Sequence, residues 1–129
     1  MEDIINKVAE SSLITLNLED FIHPGERVIY DIKENLFMGL ILKEKDFRAF
    51  IKENDWSVYS GKNIAIINSV DAIVPTWAYM LLASKLEKYA HRYVFGNLEA
   101  LEQSLFQEAI AKINPEDYRN AKMVIKGCG

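Results

Sequence analysis

Residues Asn63-Ile64-Ala65-Ile66-Ile67-Asn68 decide the fold class, because they form the clearest strand signal in the chain. The run is continuously apolar and rich in β-branched side chains, which is typical of a strand covered on both faces. Pro75 follows a short polar segment and suits the first turn of a helix, where its missing N–H loses no hydrogen bond. A buried strand followed by an apolar helix near 75–90 indicates an α/β fold.

Strands and helices continue to alternate on both sides of this unit. The predicted elements are a strand over 37–42, a helix around 47–51 that stops near Asn54, a strand over 93–95, a helix over 98–113 capped by Asn97, and a strand over 122–125. Segments 13–18 and 27–31 also suit short strands. The alternation predicts a small three-layer α/β domain over 1–129, with a mostly parallel sheet and right-handed crossover helices. We expect strands 63–68, 93–95 and 122–125 to share that sheet.

Composition favours one globular domain and excludes several site classes. The chain has 129 residues, of which 50% are hydrophobic and 26% charged, so it can bury a core of its own. Its one cysteine, Cys128, excludes an intrachain disulfide framework and a zinc site built from several cysteines. Neither a glycine-rich phosphate-binding signature nor a hydrolase Gly-x-Ser-x-Gly elbow is present in the sequence.

The charge pattern argues against a nucleic-acid partner. The formal net charge is −4, which on balance repels a phosphate backbone. The densest basic group is Lys85, Lys88, His91 and Arg92, interleaved with Glu87. Cations at the expected end of a helix complement the helix dipole, so this group is interpreted as structural.

Two stretches bear on localisation. Met1-Glu2-Asp3 is acidic and is followed by no long apolar run, so a signal peptide is not expected. Residues 72–83 carry no charge, but twelve residues are too few to cross a bilayer. We therefore expect a cytoplasmic protein with no membrane partner.

Ligands of parallel sheets bind just beyond the carboxyl ends of the strands, which selects three segments as a candidate pocket. The candidate residues are Asn68, Ser69, Asp71, Gly96, Asn97, Lys126, Gly127 and Cys128. The competing interpretation is that any α/β domain places small and polar turn residues there. The pattern assigns no catalytic residue and no cofactor.

Cys128 is the sharpest candidate within this set. Glycines flank it on both sides, and nearby Lys126 could lower the pKa of its thiol. A nucleophile would need a base, yet of the two histidines His91 is expected at the opposite edge of the sheet, so a Cys–His dyad is not predicted. No Cys or His stands at metal-ligand spacing from it, so no metal site is predicted. The alternative is a small residue in a tight turn.

Three segments together carry a resemblance to a known family. They are Asn68-Ser-Val-Asp-Ala-Ile-Val-Pro-Thr-Trp-Ala-Tyr-Met-Leu-Leu82, Gly39-Leu-Ile-Leu-Lys-Glu-Lys-Asp-Phe-Arg48 and the closing Lys126-Gly127-Cys128. Over essentially the whole chain they resemble a bacterial domain of unknown function found mainly among Bacteroidetes. That resemblance implies no activity, cofactor or catalytic residue. It also implies that a further helix and strand, with a second cysteine, would follow Cys128.

Two functional hypotheses remain open. The first is a non-catalytic binding or interaction domain that forms a homodimer or larger homo-oligomer, because the helix from Pro75 is unusually apolar. The second is a small enzyme or ligand-binding protein with its pocket at Asn68, Ser69, Asp71, Asn97 and Cys128. We further expect strand 122–125, with apolar side chains on both faces, to lie inside the sheet or under a neighbouring subunit, with Cys128 near the carboxyl edge.

Overall fold

The structure is a computed structural model that describes residues 13–113, 116 and 122–126, with side chains from residue 17 to 113 and at 116. The described strands are β1 (Leu13–Asn17), β2 (Arg27–Asp31), β3 (Asn63–Ile67), β4 (Arg92–Phe95) and β5 (Lys122–Lys126). The described α-helices are α1 (Glu44–Glu53), α2 (Thr76–Leu86) and α3 (Leu98–Ala111). Short 3₁₀ helices occupy Leu18–Asp20, Ile32–Asn35 and Trp56–Tyr59. The α/β class is therefore confirmed.

The backbone divides into two compact units. The central unit is Pro24–Ser104, and the terminal unit joins Met1–His23 with Leu105–Gly129. Whether the whole chain is one domain stays a prediction.

The central unit is built on a parallel sheet with the strand order β2-β3-β4. Tyr30 on β2 pairs with Ile66 on β3, and Ile66 pairs with Phe95 on β4. The middle strand is the segment with the strongest strand signal, and its position explains why its side chains are covered on both faces. The predicted parallel pairing of segments 63–68 and 93–95 is confirmed.

Helices cover both faces of this sheet. On one face Tyr30, Ile64 and Ile66 form a buried cluster with side chains of α1 and α2, the largest being Phe47, Ile51, Leu82 and Leu86. Because side chains alternate along a strand, Arg27 and Arg92 point to the other face. There the Arg27 Nε donates to Glu102 Oε1 at 2.7 Å and an Arg92 guanidinium nitrogen donates to Ser104 Oγ at 2.9 Å, so the first half of α3 packs on that side.

The predicted strand over 37–42 is wrong. Phe37–Ile41 forms a tight turn, in which the Phe37 N–H donates to the Ile41 carbonyl at 2.7 Å. Met38 and Gly39 have left-handed φ values of 53° and 69°, which reverse the chain where a strand would need extended backbone. Four apolar side chains are left between 48% and 79% exposed: Phe37, Met38, Leu40 and Ile41. We call this segment the apolar turn.

The strand predicted over 122–125 exists, but its expected partners are wrong. β5 pairs in parallel with β1, from Leu13↔Lys122 to Asn17↔Lys126, in a separate two-stranded sheet. Alternation of strands and helices predicts that a crossover returns to a parallel neighbour, but it does not say which strand that neighbour is. The expected burial of strand 122–125 and the placement of Cys128 lie outside the described side chains and residues.

Candidate functional site

A groove of about 560 Å³ lies at the carboxyl ends of β3 and β4, within the central unit. Six of its lining residues come from the ends of the two strands and the residues that follow: Ile66, Ile67, Asn68, Phe95, Gly96 and Asn97. The other four come from the first half of α2: Thr76, Tyr79, Met80 and Ala83. We call this feature the edge groove. Its position is the one that parallel sheets use for ligands.

The walls of the edge groove are aromatic and aliphatic. The Tyr79 and Phe95 rings meet edge to face, with their centroids 5.5 Å apart. Met80 stands beside them and is 67% exposed, and Phe95 is 55% exposed. The ten lining residues, all described, include no Asp, Glu, Lys, Arg, His or Cys. The groove can therefore bury apolar surface, and the ionisable or hydroxyl side chains in its lining are those of Thr76 and Tyr79.

Asn68 lines the edge groove, and its amide also shapes the following loop. Its Nδ2 donates to the Ala72 carbonyl at 3.0 Å, and its Oδ1 accepts the Val70 N–H at 3.2 Å. Such bonds are typical of an Asx turn, which orders a loop without a ligand. The carboxamide thus holds the connection between β3 and α2.

Gly96 and Asn97 also line the groove, and both have a structural role at the start of α3. The Gly96 N–H donates to the Ile66 carbonyl at 3.0 Å, and a Cβ on Gly96 would lie 2.9 Å from the Ala100 Cβ. Asn97 Oδ1 accepts the Ala100 N–H at 2.9 Å, which confirms it as the N-cap of the helix. Glycine is therefore needed at 96 for close packing.

Ser69 and Asp71, predicted with this pocket, do not line the edge groove. The Ser69 hydroxyl donates to Asp31 Oδ2 at 2.5 Å, and the Ser69 N–H donates to Asp31 Oδ1 at 3.3 Å. Asp31 also accepts the Lys33 N–H at 3.0 Å. Desolvation acts to raise the pKa of Asp31, but these hydrogen bonds outweigh it and hold the pKa below its ordinary value. Asp71 is exposed.

Asp31 was missed by the sequence analysis. It ends β2, so the rule that selects the carboxyl ends of strands applies to it as it does to Asn68 and Gly96. Tyr79, Met80 and Phe95 were likewise not predicted as site residues. The sequence could have indicated Met80, because this apolar residue lies outside the stripe of α2 that is formed by the buried residues Ala78, Leu82 and Leu86.

The remaining predicted residues are not part of this groove. Lys126 ends β5 in the terminal unit, and Gly127 and Cys128 lie outside the described residues. His91 directly precedes β4, which places it at the amino edge of the central sheet, as expected. Among the residues that the structure describes, no group of three or more His, Cys, Asp or Glu side chains could hold a metal ion. Within the same part of the chain, no helix has the length and apolar character needed to cross a membrane.

Comparison with known protein families identifies the family of this chain. A family model described as a protein of unknown function, DUF2480, matches residues 2–129. The chain belongs to the DUF2480 family. This confirms the predicted resemblance to a domain of unknown function, while the distribution of DUF2480 among Bacteroidetes stays a prediction. Neither the curated proteins nor the solved structures gave a match to this DUF2480 chain.

Proposed function

We propose that this DUF2480 domain is a non-catalytic, cytoplasmic binding domain that self-associates through the carboxyl edge of its central sheet. The observation that carries the proposal is the edge groove, which is largely apolar and is lined by no carboxylate, amine, imidazole or thiol. A groove of this kind gains free energy by burying apolar surface of a partner. A single cysteine in the chain fits a reducing compartment.

The polar side chains at this edge support a structural role rather than a catalytic one. The amide of Asn68 shapes its loop, Asn97 caps α3, and Ser69 donates to Asp31. Catalytic groups must have a lone pair or proton directed at a substrate, within hydrogen-bond reach. Each of these three side chains instead directs a hydrogen bond into the protein.

Self-association is supported by apolar side chains that recur after all three central strands. The exposed ones include those of the apolar turn after β2, Ile73 after β3, and Phe95 and Leu98 at the end of β4. Because the strands are parallel, their carboxyl ends meet at one edge of the sheet. Other exposed apolar side chains lie elsewhere, at Ile29, Val58 and Tyr89, but the larger number follow the carboxyl ends of these strands. A large exposed apolar patch is typical of a protein interface, whereas single exposed apolar residues need no explanation.

The first experiment measures the sedimentation of the purified chain over a range of concentrations. We expect a reversible dimer or larger oligomer, and Met80→Lys should weaken it because it places a charge in the groove. Val58→Lys is the matched control, since Val58 is 54% exposed in the 3₁₀ helix before β3, at the amino edge. A wild-type chain that stays monomeric at every concentration would refute self-association.

A second candidate function is the binding of a small apolar molecule in the same groove. The volume of about 560 Å³ favours it, because small-molecule sites usually measure roughly 300–1,000 Å³. Native mass spectrometry of the freshly purified protein separates the two candidates. A retained small molecule on a monomer favours the ligand-binding protein, and a bare dimer favours the interaction domain.

An enzyme is the alternative that the sequence left open, with Cys128 as its sharpest candidate residue. A catalytic role for Cys128 would need a thiol that reacts unusually fast at neutral pH. Timed alkylation of the native chain measures that rate. A rate no higher than that of the unfolded chain removes the main reason to consider an enzyme.

A further inference from the structure

Met80 stands between two hollows on the surface of the central unit. One hollow is the edge groove, where Met80 shares the lining with Tyr79 and Phe95. The other is shallow and measures about 300 Å³. It is lined by Met80 and by four further side chains of α1 and α2, which are Arg48, Trp77, Leu81 and Ser84. We call it the Arg48 hollow. Met80 is 67% exposed, so small molecules in solution can reach it.

The two hollows offer different surroundings to a side chain at position 80. The lining of the edge groove has no cationic side chain, and its aromatic rings suit a thioether, which packs favourably against rings. The Arg48 hollow contains a guanidinium, whose central carbon lies 4.9 Å from the centre of the Trp77 ring. This guanidinium uses its Nε to donate to Glu44 Oε2 at 3.0 Å, and its terminal nitrogens carry further N–H groups. The Arg48 hollow therefore suits a strong hydrogen-bond acceptor.

Oxidation converts the side chain of Met80 from a thioether into such an acceptor. The oxidant is hydrogen peroxide: a sulfur lone pair attacks one peroxide oxygen, and the S–O bond forms as the O–O bond breaks. The hydroxide that leaves takes up the remaining proton and becomes water. Sulfur is thereby oxidised by two electrons and peroxide is reduced by two. The product, methionine sulfoxide, is polar, and its oxygen accepts hydrogen bonds.

We propose that Met80 is a redox-sensitive switch, whose side chain lies in the edge groove as the thioether and turns into the Arg48 hollow as the sulfoxide. Methionine is unbranched, so a change of rotamer carries its sulfur from one hollow to the other while α2 stays in place. The sulfoxide oxygen then accepts a charge-assisted hydrogen bond from the guanidinium of Arg48. Oxidation thus removes an apolar side chain from the wall of the edge groove. The switch goes beyond the proposed self-association and does not depend on it.

Methyl NMR of the full chain, with isotope-labelled methionine methyl groups, follows the switch before and after treatment with hydrogen peroxide. Before oxidation, we expect nuclear Overhauser contacts from the Met80 methyl group to the Phe95 ring. After oxidation, those contacts should be lost, and contacts to the Trp77 ring should appear. Met38 is the internal control, because it is 79% exposed in the apolar turn. Peroxide should oxidise Met38 too, without producing contacts from its methyl group to either ring.

A pair of variants on α1 tests the role of the guanidinium. Arg48→Leu removes the donor, and Lys45→Leu is the matched control, because it removes another exposed cation from the same helix. Both positions are exposed, so the fold should survive. We expect oxidised Met80 to keep its contacts to Phe95 in Arg48→Leu and to turn to Trp77 in Lys45→Leu. Methionine sulfoxide reductases should return the wild-type methyl group to Phe95.

Three results would overturn the switch. They are an unoxidised Met80 methyl group without contacts to Phe95, an oxidised one that keeps those contacts in the wild-type chain, and turning of the same extent in Arg48→Leu. A failed switch would leave the proposed self-association standing, because sedimentation measures that association separately on the reduced chain.

Discussion

β3 and the apolar turn are two five-residue apolar segments with opposite fates. In β3, Ile64 and Ala65 are fully buried and Ile66 nearly so. In Phe37–Ile41, every side chain beyond the glycine is at least half or nearly half exposed. Both segments looked like buried strands in the sequence. Apolar content therefore does not decide burial in this chain.

The difference lies in branching and in backbone conformation. β3 has three isoleucines among its five residues, and β-branched side chains fit the extended backbone of a strand. The apolar turn has unbranched Met38 next to Gly39, and both adopt left-handed backbone. β3 gains two hydrogen-bonded neighbours, whereas the turn bonds to itself through Phe37 and Ile41. The buried segment holds the fold, and the exposed one contributes little to the core.

The largest expected effect comes from making the same truncation in both segments. Ile64→Ala should lower the free energy of unfolding by about 2–5 kcal/mol, because it leaves a cavity in a fully packed core. Ile41→Ala should lower it by less than about 0.5 kcal/mol, since that side chain is exposed. Urea unfolding of both variants at low protein concentration measures the two values. Equal losses would show that the turn is part of the core.

A smaller effect is expected from the backbone of the apolar turn. Gly39→Ala should cost about 1–2 kcal/mol of unfolding free energy, because alanine is strained at a φ of 69°. Contact cannot explain such a loss, since an added Cβ would meet nothing closer than 3.9 Å. Met38→Gly is the control, and thermal unfolding should show no comparable loss for it. A stable Gly39→Ala variant would mean that the turn is not held in this conformation.

Alkaline pH should lower the free energy of unfolding through Tyr30, which belongs to the buried cluster around β3. Burial, with a smaller opposing effect of its hydrogen bond to Asn35, raises the pKa of Tyr30 far above the ordinary value of 10.0. As the pH rises above 10.0, the Tyr30 hydroxyl loses its proton in the unfolded chain but keeps it in the folded chain. The free energy of unfolding therefore falls. Tyr30→Phe should make that fall less steep in urea titrations from neutral to alkaline pH. An unchanged slope would contradict the assigned burial.

Acidic pH should act on the exposed edge through Asp31, with a smaller effect. The pKa of Asp31 is lower in the folded chain than in the unfolded chain. Ionised Asp31 therefore stabilises the fold above its ordinary pKa, and this stabilisation is lost as the pH falls through its pKa in the folded chain. Ser69→Ala removes one hydrogen bond to this carboxylate and should raise its pKa toward the ordinary range. Carboxyl chemical shifts followed by NMR against pH measure this directly. No change in the Asp31 titration would show that the Ser69 bond is absent in solution.

Local patterns in the sequence predicted most elements of the central unit. The branched run at 63–68 gave β3, Pro75 marked the start of α2 to within one residue, and Asn97 marked the start of α3. The pairing of β5 with β1 was not predictable in the same way, because strand partners depend on contacts between distant segments. The apolar turn was missed because a short apolar run does not reveal the sign of φ.

The candidate site was predicted in part for the same reason. The rule for strand ends selected Asn68, Gly96 and Asn97, which do line the edge groove, because the rule depends only on where strands stop. It could not find the wall made by Tyr79 and Phe95, since that contact forms only when α2 packs beside β4. The same rule would also have selected Asp31, because Asp31 ends β2, but the rule was not applied to that short strand.

Hydrogen exchange of the wild-type chain at two widely separated protein concentrations tests the central claim most directly. If the carboxyl edge is the interface, raising the concentration should slow exchange in the apolar turn and in the segments around Asn68 and Gly96. The amino edge, including residues 56–61, should exchange at the same rate in both samples. Added protection at 56–61, or none at the carboxyl edge of a chain that does associate, would contradict the claim.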